Sequence, residues 1–151
     1  MDVFKSHKPH GAIFDSGTSA FAEPAAPYAK FSSSVKCAVD FYGAVGLIHY
    51  HDVRMFAKTR EEAPDVYKKA SPVTDARKDA PPILILHGTA DDAVNVSQSE
   101  TLAAALQGVG APHELIIIPG APHTFHLENV PGHDLRPLVF GFFDKNLKVR
   151  N

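Results

Sequence analysis

The sequence is short of most features that announce a specialised class of protein. It has one cysteine, Cys37, in 151 residues, so no internal disulfide can form, and the apolar run VKCAVDFYG around it predicts a buried, inert thiol. It has no excess of positive charge. Fifteen Lys and Arg face 17 Asp and Glu for a formal net charge of −2, which removes the electrostatic case for nucleic acid or an anionic membrane as partner. No apolar run approaches the roughly 20 residues that cross a bilayer, and MDVFKSHKPHG lacks the apolar stretch of a secretory signal. A soluble, cytoplasmic protein is expected. What is present is a hydrophobic fraction of 44%, enough for one globular domain with a core.

Order along the chain is uneven. Residues 1–34 are rich in Ser, Pro, Gly and Ala, with GAIF as their one short strand candidate, and read as an irregular N-terminal segment. VKCAVDFYG (35–43) reads as a buried strand closed by Gly43, and PILILHG (82–88) and HELIIIPG (113–120) as two more. Between the first two lies a charged segment, 44–80, with a helix predicted over Thr59–Ala70 and interrupted by Pro64. The S-Q-S-E run from Ser97 to Glu100 predicts a capping box, in which a hydroxyl and a carboxylate satisfy each other's backbone N–H groups. Leu102, Ala105, Leu106 and Val109 continue that helix as one apolar stripe, and Gly108 and Gly110 offer a left-handed exit. A last helix, DLRPLVFGFFDKNLKV, has Asp134 as its cap. Strands apolar on both faces and separated by helices predict an α/β fold with a parallel sheet of about three or four strands covered on both sides. Ligands in such sheets lie at the carboxyl ends of the strands, and Asp91 and His123 both fall just past such ends.

Five ordered motifs carry a resemblance: V-D-F-Y-G, A-S-P-V-T, P-P-I-L-I-L-H-G-T-x-D, Q-S-x-x-L-x-x-A-L and P-G-A-x-H-x-F. Together, over residues 35–147, they resemble the C-terminal half of an α/β-hydrolase of the esterase/lipase branch, which includes acetyl-esterase and feruloyl-esterase-like enzymes. Dienelactone hydrolases and prolyl-oligopeptidase-type peptidases share this core. The resemblance implies a truncated α/β-hydrolase-like sheet over 35–151, with 44–80 as a cap-like insertion. It also implies that Asp91 takes the place of the triad acid and His123 that of the base. Asp92 reads as a solvated loop charge, and His87, at a strand end, as bonding within its own loop. The chemistry agrees, because a fixed carboxylate holds an imidazole in one tautomer and the imidazole exchanges protons near neutral pH. Asn95 stands where this branch has proline, which bears on loop stiffness.

The nucleophile of this fold sits on a strand-to-helix turn, G-x-S-x-G, and no full copy exists here. The nearest is G-T-S-A-F, Gly17 to Phe21, which makes Ser19 the candidate nucleophile ahead of Ser16 and the Ser32–Ser34 run. Phe21 replaces the second glycine, and Pro24 and Pro27 break the helix that would support the turn.

The leading expectation is therefore a hydrolase acting on small carboxylic esters or lactones, through Asp91 and His123 with Ser19 or an activated water, and without a cofactor. One alternative is a non-catalytic remnant of the fold. Another is a metal-assisted hydrolase built on His49, His51 and Asp52 with His126 and His133, but the H-x-H-x-D-H signature of metallo-lactonases is absent, so no metal is expected. A first strand without a neighbour also exposes an apolar edge, which predicts a homo-oligomer, cover from residues 1–34, or poor behaviour in solution.

Overall fold

Three parallel strands stand side by side in chain order, β1 (Ala38–Phe41), β2 (Ile83–Ala90) and β3 (His113–Pro122). They are seen in a computed structural model that describes residues 35–49, 58–128, 130 and 132–147. GAIF and the candidate serines Ser16, Ser19 and Ser32–Ser34 lie outside the described residues. In register, Ala38 meets Ile83 and Phe41 meets Leu86, while Ile83 meets His113 and Gly88 meets Ile118. This is an α/β fold consistent with a truncated α/β-hydrolase.

Because side chains alternate across a strand, each strand feeds two cores. Ala38, Ile83 and Ile85 pack with Val45, Ala80, Leu102 and Leu106 on one face, whereas Val39, Leu84, Leu86 and Ile118 pack with Phe125, Val139 and Phe142 on the other. The described parts of both crossovers therefore lie on the first face, and the last helix covers the second. β2 is central and buried on both sides from Ile83 to Gly88, as its uninterrupted apolar run requires.

β1 is shorter than its apolar run. Tyr42 has φ 45°, outside the β region, and the Asp40 carboxylate accepts the Gly43 N–H and draws the chain back on itself. A Cβ on Gly43 would meet the Asp40 carboxylate, so any other residue here would have to push that side chain aside. Cys37, expected to be buried, is only half-buried at the edge of the second core. Partial burial still raises its thiol pKa.

The helices differ from expectation at their starts. Pro64 does not interrupt a helix but opens one, α1 (Pro64–Lys69), because a residue without an N–H is tolerated in the first turn. Ahead of it Thr59 and Glu62 exchange bonds, the Thr59 N–H donating to Glu62 Oε2 at 2.7 Å and the Glu62 N–H to Thr59 Oγ1 at 3.3 Å.

The expected capping box at Ser97 and Glu100 is replaced. Helix α2 (Ser97–Val109) has Val96 as its cap residue with no side-chain cap bond, and Asn95 Oδ1 accepts the Ser97 N–H at 2.9 Å instead. Its far end is a Schellman closure. Gly110, at φ 72°, donates to the Gln107 carbonyl at 3.0 Å, and Ala111 donates to the Leu106 carbonyl at 2.9 Å. Helix α3 (Arg136–Leu147) begins as α2 does, with Asp134 Oδ1 accepting the Arg136 N–H at 3.0 Å. Among the described residues no helix is long and apolar enough to cross a membrane.

Candidate active site

Ala90 and Pro122 are cross-strand partners at the ends of β2 and β3. Asp91 follows the first and His123 the second, so the register places the two side chains together. Between Gly88 and Ala90 the pairing shifts, because β3 spends two extra residues there and turns through Gly120 at φ 72°. The Gly120 N–H donates to Thr89 Oγ1 at 2.8 Å and ties the bulge to β2. Gly88 allows the close approach, since a Cβ there would lie 2.0 Å from the Ala121 carbonyl oxygen.

The Asp91 side chain has no exposed surface, and its Oδ2 lies 2.8 Å from His123 Nδ1. Oδ1 accepts the N–H groups of Val94 at 2.7 Å and Ala93 at 2.9 Å. Burial alone would raise the carboxyl pKa, but the bonds from Val94, His123 and Ala93 together outweigh it and hold the group below its ordinary value. A carboxylate accepts only, so Nδ1 of His123 carries the proton and Nε2 keeps its lone pair. The side chain of His123 is 29% exposed.

Three features of the surroundings were not expected. Tyr42 lies against the His123 ring, centroids 4.7 Å apart, and also meets Phe125 edge-on at 5.0 Å. Thr124, next to His123, has φ 60°, a backbone region costly for a β-branched residue. The third is a buried polar shell behind the pair, of which only the bond of His87 within its own loop is expected from the sequence. His87 is fully buried, with Nδ1 2.7 Å from Ser99 Oγ and Nε2 2.8 Å from the Val94 carbonyl. Gln98, beside Ser99, accepts the N–H groups of Val45 and Gly46 at 3.1 and 2.8 Å. The Q-S pair that reads as helix-start chemistry thus points inward.

Asp92 is exposed. The described serines have other roles: Ser71 Oγ donates to the Tyr67 carbonyl, Ser99 Oγ faces His87, and Ser97 opens α2. Ser19 lies outside the described residues. So do His51, Asp52 and the side chain of His49, while His126 and His133 are exposed; among the described residues no three His, Cys, Asp or Glu side chains gather where a metal ion would sit.

Residues 32–150 match the model of the prolyl oligopeptidase family. The chain belongs to that family. Several of the similar proteins are esterases. The chain is 30% identical over 106 residues to esterase LipQ of Mycobacterium tuberculosis, covering 63% of this chain and 25% of that one. It is 39% identical over 62 residues to the isoprenylcysteine alpha-carbonyl methylesterase ICME of Arabidopsis thaliana, covering 41% and 14%. Among solved structures, a truncated form of a carbohydrate esterase from gut microbiota superposes with a TM-score of 0.68 at 29% identity, covering 78% of this chain and 45% of that one. The propionate-bound esterase Est2 of Thermogutta terrifontis superposes with a TM-score of 0.63 at 26% identity, covering 82% and 47%. This family member thus spans a quarter or less of these curated relatives and under half of these solved esterases.

Proposed function

We propose that this chain carries the acid and base of a hydrolase for small carboxylic esters or lactones. The observation that carries the reading is the 2.8 Å bond between His123 Nδ1 and an Asp91 carboxylate already anchored by two backbone N–H groups. Nε2 of His123 then takes the proton of a serine hydroxyl as its oxygen attacks the ester carbonyl. The imidazolium, stabilised by Asp91, returns that proton to the departing alkoxide, and a water repeats the two steps on the acyl-enzyme. Ser19 is the candidate serine. A water activated directly by Nε2 gives the same products without a covalent intermediate. The esterase similarities support the ester part of the substrate class, and the partial exposure of the His123 side chain leaves it open to a small molecule.

The test is hydrolysis of p-nitrophenyl acetate and of a simple lactone. Asp91→Asn and His123→Ala are each expected to lower kcat by roughly 10³–10⁴, with EDTA without effect. Ser19→Ala lowers it equally if Ser19 is the nucleophile and not if water is, and labelling of Ser19 by a fluorophosphonate separates the two. A rate unchanged in His123→Ala overturns the reading, and loss of activity in EDTA replaces it with metal-assisted hydrolysis.

A further inference from the structure

We propose that His87 is a positioning residue for His123, acting through Asp91, in a tautomer that the Val94 carbonyl fixes and the Ser99 hydroxyl accommodates. His87 has no exposed surface, so it touches no substrate. Its Nε2 lies 2.8 Å from the Val94 carbonyl. A carbonyl only accepts, so in the neutral ring Nε2 carries the hydrogen and Nδ1 the lone pair. The Ser99 hydroxyl, 2.7 Å from Nδ1, donates to it and completes the ring's bonding.

Both oxygens of Asp91 come under the control of this ring. The Nε2–H edge lies 3.3 Å from Asp91 Oδ2, the oxygen that also receives His123 Nδ1–H at 2.8 Å. The other oxygen is governed indirectly. Val94, whose carbonyl His87 holds, donates its own N–H to Asp91 Oδ1 at 2.7 Å. One carboxylate thus sits between two imidazoles of opposite tautomer, a buried one that fixes its orientation and a half-exposed one that uses it. Without the Nε2–H of His87, the Val94 carbonyl loses its partner and Oδ2 loses a neighbouring positive edge. The carboxylate is then free to turn from Nδ1 of His123.

The kinetic consequence rests on the proposed ester hydrolysis, whereas the tautomers are observable without it. In the full chain labelled with ¹⁵N-histidine, two-bond ¹⁵N–¹H correlation of the imidazoles is expected to show His87 as the Nε2–H form and His123 as the Nδ1–H form. His87 appearing as the Nδ1–H form overturns the proposal. Two substitutions then separate positioning from packing. His87→Gln can present an amide N–H where Nε2–H stands, and His87→Asn reaches only the Nδ1 position. The expected result on p-nitrophenyl acetate is a kcat about tenfold lower in His87→Asn with KM within about twofold, largely restored in His87→Gln. His123 should give mixed tautomers in the Asn variant alone. Equal losses in both variants, or a His123 still wholly Nδ1–H in His87→Asn, overturn the proposal. An inactive parent defeats the ester-hydrolase reading only, because the spectra still decide the tautomers. If His87→Asn does not fold, His87→Gln is read alone: a folded His87→Gln in which His123 is no longer wholly Nδ1–H overturns the proposal, and one in which it stays so supports it.

Discussion

Asp40 shows what a single residue contributes and costs. It sits on β1 with 7% of its surface exposed, and its Oδ2 is buried without a hydrogen-bond partner. Loss of water around the charged form pushes its pKa from 3.8 to about 6, with the Gly43 N–H pulling the other way. The folded carboxyl holds its proton more tightly than the unfolded one. The stability it contributes is therefore full below pH 3.8 and is lost as the pH rises through about 6. Asp40→Asn should accordingly gain on the parent between pH 4 and pH 8, by up to about 3 kcal/mol in urea unfolding. A parent-to-variant difference that stays constant over this range contradicts the burial argument. Legibility at this scale is selective. That Asp91 and His123 lie side by side is readable from the chain, because each follows an apolar run and the strands are parallel neighbours. Tyr42 and Thr124 are not, because positive φ in non-glycine residues is imposed by the surrounding fold and leaves no local trace. His87 was readable as far as its bond within its own loop, but Ser99 was hidden inside an apparent capping signal.

Among the elements, the ends carry the differences. Strands and helices follow hydrophobic period, which the chain displays openly, whereas their boundaries depend on single bonds that compete closely. At the start of α2, S-Q-S-E offers one solution and Asn95 another, and the second is taken because Gln98 and Ser99 are drawn inward to Val45, Gly46 and His87. Asn95→Ala should therefore cost about 1 kcal/mol by removing the acceptor of the Ser97 N–H. Glu100→Ala, which removes the carboxylate of the capping box the sequence suggests, should cost almost nothing. Urea denaturation of both variants measures the contrast, and the reverse order restores the capping box. Pro64 teaches the same lesson, since a proline reads as an interruption only if the helix is assumed to begin before it.

The whole molecule turns on a sheet edge that the sequence already foreshadows. Among the described residues β1 pairs with β2 alone. The N–H groups of Ala38 and Tyr42 point to β2, reaching the carbonyls of Pro82 and Leu86 at 2.9 and 2.8 Å. Parallel pairing alternates, so the N–H groups of Val39 and Phe41 point the other way. An unpaired edge flanked by apolar side chains is a template for another strand. We expect a second copy of the chain to occupy it. Amide hydrogen exchange at Val39 and Phe41 should then slow as protein concentration rises, in step with an increase in mass by sedimentation. Protection that is independent of concentration assigns the cover to residues 1–34 instead, and rapid exchange at every concentration leaves the edge open. Ala38 serves as the internal control, because its N–H is held by β2 and its exchange should follow global stability alone.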